Sequence, residues 1–271
     1  MPELPEVETV RTVLLPYVVG QKITDTTISL PKVLANISSQ DFITKTKQRT
    51  ITHFTRRGKF LTLHLDNAAF IVIHFRMTGT LTIEDKGTAL DKHTHVILTF
   101  ANQQQLRFID SRGFGHWWYF EAGQSDTSGQ LLLGPEPEQI TFAYLKEKLT
   151  KRQTALKTLL LDQHIIAGIG NIYADEICFR TQIRPTRRGD SLSDTELQRL
   201  LDTIPTVIQE FIQIHRVPFD VYHQTKGTSY QKDTHRAVYG RKGQPCQKCG
   251  HPLQGTRIGQ RSSVFCEHCQ K

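Results

Sequence analysis

The chain has 271 residues, 38% hydrophobic and 22% charged, with a formal net charge of +8 and a sequence pI near 9.3. That length suits two domains, each able to bury a core, and the composition excludes disorder as the dominant state. No apolar run approaches the roughly 18 to 20 residues of a membrane helix and no basic-then-apolar leader opens the chain, so a cytoplasmic protein without a membrane partner is expected. The first element is "MPELPEVETV", where Leu4, Val7, Val10 and Leu14 recur at helical spacing and predict an amphipathic helix. Its opening has two readings. Proline in a first turn loses no hydrogen bond, and Glu3 and Glu6 complement the positive end of the helix dipole. Alternatively, removal of Met1 leaves the secondary amine of Pro2, a nucleophile with two carboxylates beside it.

Residues 20 to 120 read as strands. "FLTLHL" (60–65), "FIVIHF" (70–75), "HVILTF" (95–100) and "LRFID" (106–110) are short, rich in β-branched and aromatic residues, and separated by polar turns. The fold class is therefore α+β and multidomain, beginning with a helix and an antiparallel β-sandwich over 1–121. Residues 122–139 carry the Gly, Pro and Ser of a connection, and a hinge is expected there. Helical periodicity follows over 140–236, with Leu145, Leu149, Leu156, Leu159 and Leu160 on one side. A capping box from Ser193 to Glu196 opens the next helix, and Pro205 interrupts its apolar pattern, predicting a kink near 201–205. "AGIGNIYADE" lacks the third glycine and preceding strand of a dinucleotide fingerprint; it reads instead as a tight turn between helices, exposing Asn171 and backbone amides that suit a phosphate.

The end of the chain, 237–271, is the most specific locally. Cys246 and Cys249, then Cys266 and Cys269, form two C-x-x-C pairs separated by sixteen residues, the spacing of one tetrahedral structural zinc. Cys178 reads as a buried small apolar residue. From Lys226 to Lys271 nine Lys or Arg stand against Asp233 and Glu267, a net +7, so a polyanion is the expected partner and nucleic acid the leading candidate. An anionic membrane would attract the same charge, but no lipid-facing amphipathic helix lies there.

An N-terminal amine beside two glutamates, helices joined by "GIGNIY" and a basic four-cysteine finger together resemble the formamidopyrimidine-DNA glycosylase family. The resemblance runs end to end, through "PELPEVETV", "RRGKF", "IHFRMTG", "KHTHV", "DSRGFG", "LGPEP", "GIGNIYADE", "VYGRKGQPC" and "GQRSSVFC". It implies a bifunctional DNA glycosylase and abasic-site lyase of base excision repair, acting on oxidised purines in double-stranded DNA, with no catalytic metal or organic cofactor. Pro2 would be the nucleophile, Glu3 the acid and base, Glu6 its support, and Lys59 and Arg261 would serve the two phosphate eliminations. DNA contacts are implied for His74, His93, Arg112, Lys157, Asn171 and Tyr239. Met77, Arg112 and Phe114 would fill the gap left by the flipped nucleotide, and a loop at about 216–236 would close over it. A monomer associated with the nucleoid is expected.

The chain departs from the family pattern in four places: Gly113 and Gln153 stand where basic residues are usual, "RVPF" (216–219) replaces paired glycines and hydroxyl residues, and Pro205 lies inside the preceding helix. Two alternatives therefore stay open. One is a relative with altered lesion range, for oxidised pyrimidines or abasic sites; the other is a zinc-dependent damaged-DNA binder without catalysis.

Overall fold

The computed structural model describes residues 1–228 and 234–271, which divide into two compact units. The first comprises residues 1–131 together with 215–228; the second comprises 132–214 and 234–271. The division falls inside the stretch expected to be a hinge.

The first unit opens with α1 (Leu4–Val18). Pro5 lies in its first turn, and Leu4, Val7, Val10, Leu14 and Val18 are buried, so the apolar face read from the sequence is the face that packs. After β1 (Ile23–Ile28) comes α2 (Ser39–Thr46), whose first turn is capped by the Ser38 hydroxyl accepting from the Asp41 amide at 3.1 Å. The remaining strands are β2 (Ile51–Arg57), β3 (Phe60–Leu65), β4 (Phe70–His74), β5 (Thr80–Asp85), β6 (Thr94–Phe100), β7 (Gln104–Ile109) and β8 (His116–Phe120). They form two antiparallel four-stranded sheets, β1-β6-β7-β5 and β2-β3-β4-β8. Side chains from both sheets and from α1 share one core that includes Ile51, Phe54, Leu63, Ile71, Ile73, Leu98, Leu106, Phe108 and Trp117. Each fully buried side chain of this size contributes about 1.5–3 kcal/mol. The sequence reading located β3, β4, β6 and β7; β1, β2, β5 and β8 escaped it singly because Thr, Asp, Arg and His weaken their apolar alternation.

The β2–β3 hairpin closes at the Arg57–Phe60 pair, leaving Gly58 and Lys59 as a two-residue turn. Gly58 has φ +55°, a conformation that glycine adopts without steric cost. Residues 215–228, placed by the sequence reading with the helical part, pack in the first unit instead. Their short helix α7 (Phe219–Gln224) stacks Phe219 on Tyr17 with ring centres 4.1 Å apart, and the buried Tyr222 donates its hydroxyl to the Leu81 carbonyl at 2.6 Å. Lys226 pairs with Asp91 nearby. Of the expected loop at 216–236, residues 229–233 lie outside the described residues.

The second unit holds α3 (Phe142–Thr150), α4 (Leu156–Leu161), α5 (Asn171–Arg180), most of α6 (Asp194–His215) and the hairpin of β9 (Gln254–Ile258) and β10 (Arg261–Phe265). The leucines at 145–160 occupy two helices, because the Leu156 amide leaves the helical ladder for the Arg187 carbonyl at 2.6 Å. The Ser193–Glu196 capping box forms, with the Ser193 amide donating to Glu196 Oε2 at 2.9 Å. α6 continues through Pro205 to His215 as one helix. Buried Leu197, Leu200, Ile204, Val207, Ile208 and Phe211 line both sides of the proline, and their shared packing offsets the one hydrogen bond that it removes.

Candidate functional site

At the start of α1, Pro2, Glu3 and Glu6 are all buried. Glu3 is the N-cap, and Glu3 and Glu6 form a reciprocal capping box in which the Glu3 amide donates to Glu6 Oε2 at 2.7 Å. The structural and chemical readings of this decapeptide therefore coexist: the box that starts the helix also fixes two carboxylates beside Pro2. His215, which sequence reasoning passed over, is buried with Nδ1 3.4 Å from Glu6 Oε1. It stands immediately before the "RVPF" departure, and that adjacency was the only signal available.

Lys59, largely buried, sits in the β2–β3 turn. A further pair missed from sequence braces this turn against α1: Arg56 donates Nε to Glu8 Oε2 at 2.9 Å and Nη1 to the Gly58 carbonyl at 3.1 Å. Arg11 adds a second guanidinium to the same carboxylate. Burial alone would raise the Glu8 pKa, but the hydrogen bonds and charges of Arg11 and Arg56 outweigh it and hold the carboxyl below its usual range. His74 lies across from Phe60 on one neighbouring strand and His116 on the other. Burial, then the charges of Arg76, Lys59 and His116, push its pKa down to about 3. Its Nδ1 accepts the Arg76 amide at 3.0 Å, so the neutral ring carries its proton on Nε2, a donor suited to a phosphate oxygen.

Met77 follows β4; Arg112 and Phe114 follow β7. Phe114 is 46% exposed, with the Arg112 guanidinium 4.8 Å above its ring. His93 is half-buried, and its carbonyl accepts the Asp110 amide at 3.0 Å. The first unit thus contains Pro2, Glu3, Glu6, Lys59, His74, Met77, His93, Arg112 and Phe114. The second contains Lys157, Asn171, Tyr239, Arg261 and the four cysteines.

In the second unit, Asn171 begins α5 with Nδ2 3.5 Å from Ser262 Oγ. Exposed Arg261 stands at the tip of the β9–β10 hairpin, paired with Ile258. Tyr239 is half-buried, and its amide joins those of Ala237 and Val238 on the buried Glu176 carboxylate, at 2.9–3.0 Å. Tyr239, Lys242, Arg257, Ser262 and Asp175 line a groove of about 550 Å³. Lys157 is the exception among the residues expected to contact DNA. Its side chain is 0% exposed and donates to Asp175 Oδ1 at 2.7 Å and to the Ser262 carbonyl at 2.6 Å, so it supports the hairpin. Asp175 also accepts from the Ser263 hydroxyl and the Val264 amide at 2.6 and 3.0 Å. Burial pushes its pKa up against these partners.

Cys246, Cys249, Cys266 and Cys269 bring their sulfurs within 4.8 Å of one another, with Cys246–Cys269 at 3.9 Å and Cys249–Cys266 at 3.5 Å. Zinc–sulfur bonds of about 2.3 Å in a tetrahedron separate sulfurs by about 3.8 Å, so this set fits one structural zinc. Cys178 is fully buried and burial pushes its thiol pKa up, in keeping with an inert packing role.

A helix-led β-sandwich with Pro2 and two buried carboxylates at its start, and a helical unit ending in a zinc-binding hairpin, define a class of two-part zinc-finger nucleic-acid enzymes. Sequence profiles agree in detail. Residues 1–117 match the formamidopyrimidine-DNA glycosylase N-terminal domain, residues 133–220 its H2TH domain, and residues 243–271 a zinc finger found in FPG and IleRS. A formamidopyrimidine-DNA glycosylase of Listeria innocua is 38% identical over the full length of both chains. The Lactococcus lactis formamidopyrimidine-DNA glycosylase, solved bound non-covalently to DNA containing an abasic site, superposes with a TM-score of 0.89 at 31% identity, covering 99% of each chain. A MutM solved with DNA containing carbocyclic 8-oxoguanine gives 0.90 at 30% identity over all of both chains. This chain belongs to the formamidopyrimidine-DNA glycosylase family.

Proposed function

We propose that this protein is a DNA glycosylase and abasic-site lyase of base excision repair that removes oxidised purines such as 8-oxoguanine and formamidopyrimidines. The observation that carries the reading is the buried trio at the start of α1: Pro2 followed by Glu3 and Glu6, whose carboxylates are held by the helix cap itself. Loss of Met1 frees the Pro2 amine. A typical α-amine has a pKa near 8 against roughly 10.4 for lysine, so far more of it is unprotonated at neutral pH. The amine attacks C1′ as the C1′–N9 bond breaks and the base departs with a proton; protonation of O4′ and loss of the amine proton then open the sugar at C1′–O4′, and the resulting iminium permits elimination of the 3′ phosphate and then the 5′ phosphate. Glu3 moves protons at the sugar, and Glu6 steadies the positive charge that develops as the glycosidic bond breaks. Lys59 serves the first elimination and Arg261 the second.

His74, Asn171 and Tyr239, with Lys59 and Arg261, grip backbone phosphates, and His93 and Arg112 add DNA contacts. Of these five only Lys59 and Arg261 carry a charge, so together they give a slope of log K against log salt of about −2. Met77, Arg112 and Phe114 occupy the space of the extruded nucleotide, with Arg112 on the orphaned cytosine; leaving the stack costs a few kcal/mol, which these residues offset. The working parts are a catalytic region 1–121, a linker 122–139, a helical DNA-binding region 140–236 whose segment from about 216 caps the flipped base, and a finger 237–271. A monomer working on the nucleoid in the cytoplasm fits the bacterial relatives.

Borohydride should trap wild-type protein on abasic DNA, and Pro2→Gly or retention of Met1, checked by intact mass, should diminish the adduct, since each replaces the secondary amine by a primary one. An undiminished adduct in either variant overturns the assignment of Pro2. The "RVPF" departure beside buried His215 favours attention to lesion range: cleavage of 8-oxoguanine paired with cytosine, compared with thymine glycol, separates an oxidised-purine enzyme from one for oxidised pyrimidines.

A further inference from the structure

Asp110 follows β7 and is fully buried, and among the described residues its carboxylate is held by backbone amides and a hydroxyl. Its backbone is fixed to the segment leading into β6: its amide donates to the His93 carbonyl at 3.0 Å, and its carbonyl meets His95 Nε2 at 2.8 Å. Its carboxylate then gathers two loops. Oδ2 accepts the amides of Phe114 and Gly115 at 2.8 and 2.7 Å; Oδ1 accepts the Arg112 amide at 3.2 Å and the Thr78 hydroxyl. The Arg112 amide is also 3.2 Å from Thr78 Oγ1, so it is shared between the two loops. Four donors match the lone-pair capacity of one carboxylate. The residue just before Thr78 is Met77, and the amides on the other side belong to Arg112 and Phe114.

The loop roots also converge sterically on one ring. A Cβ added to Gly79 would stand 2.9 Å from the Phe108 side chain, and one added to Gly115 would stand 2.4 Å from it. Both glycines are therefore required for close approach, while the tips beyond them, Arg112 and Phe114, remain exposed.

We propose that Asp110 and Thr78 form a clip that joins the Met77 loop and the Arg112–Phe114 loop into one rigid wedge, and that this coupling sets discrimination of the base left opposite the extruded nucleotide. The inference rests on the reading that Met77, Arg112 and Phe114 enter the duplex. A preorganised wedge loses little conformational freedom on insertion and delivers Arg112 at a fixed angle to the orphan base; separate loops would insert independently and read that base poorly.

Replacing Asp110 would strand three amides in a buried site, so the test uses Thr78, whose removal spares them. Thr78→Val and Thr78→Ser are compared on 8-oxoguanine duplexes with cytosine or adenine opposite, with 2-aminopurine beside the lesion to report insertion. A hydrogen bond to a charged group is worth enough that Thr78→Val should reduce the insertion equilibrium about tenfold. It should also move the cytosine-to-adenine ratio of single-turnover excision toward one, with Thr78→Ser restoring both. Wild-type insertion and an unchanged ratio in Thr78→Val overturn the clip, as does an equal loss on single-stranded abasic DNA, which needs no wedge. Met77→Ala and Phe114→Ala test the underlying reading separately: if neither changes the 2-aminopurine signal, the wedge assignment itself falls.

Discussion

The two units place buried charge to different ends. In the first, a thick apolar core between two sheets carries the fold, and single polar residues hold loops in place: Glu8 with Arg56 braces the Lys59 turn, and Asp110 holds the loop after β7. In the second, the finger has only a small apolar cluster, Val238, Leu253 and Val264 with Cys246 and Cys266. There the charged groups and the metal must hold the fold itself: Lys157 and Asp175 hook the hairpin, and Glu176 collects three successive amides. Where area suffices, polarity is free to position chemistry; where it does not, ions replace area.

The strongest way to break this contrast is to remove the zinc. Zinc binding supplies about 10–16 kcal/mol to isolated fingers, so chelation or Cys266→Ala should unfold residues 237–271 and abolish DNA binding. Two-transition calorimetry should show the melting of the first unit unchanged; a shared loss would dissolve the distinction. Next in size, Lys157→Ala leaves Asp175 buried and uncompensated, at a cost of about 3–5 kcal/mol to the second unit, whereas Lys157→Met with Asp175→Leu should recover most of it in denaturant titrations.

A smaller effect is expected in the first unit. Glu8→Gln should lower stability by about 1–2 kcal/mol, and should slow strand cleavage more than base release because it loosens the turn that presents Lys59. Equal slowing of both steps would reduce the brace to ordinary packing. Because the Glu8 pKa is lowered, its stabilisation is present above its ordinary value of 4.5 and is lost as pH falls through the folded value. His74 gives the mildest signal. With its pKa depressed from 6.5 to about 3, the unfolded chain binds the extra proton between those values. Its contribution is therefore full above pH 6.5 and declines as pH falls, and His74→Gln should flatten that part of the stability profile. Since the ring stays neutral, the salt slope of DNA binding should not gain a charge from His74 between pH 8 and 5.5.

Periodic and spaced signals were legible. The apolar face of α1, the strands β3, β4, β6 and β7, the Ser193 cap and the zinc cysteines all follow from residue type at a fixed interval. The burial of Lys157 was not legible because a lysine in a basic stretch carries no mark of it; only the convergence of α4, α5 and β10 encloses it. Asp110 and Thr78 lie 32 residues apart, and Arg56 and Glu8 lie 48 apart, distances over which no sequence interval encodes a hydrogen bond. That α6 runs on through Pro205 was not legible from local propensity, because it rests on the buried stripe on both sides.

The amino-acid order by itself determined the helix start at Glu3, the alternation of strand and turn, the metal-binding set and the family, because each depends on local backbone preference or on neighbours a few residues apart. Only the tertiary structure decided which charges are buried, which loops share an anchor and which unit receives residues 215–228, because those outcomes depend on desolvation and on partners that only folding brings within hydrogen-bond reach.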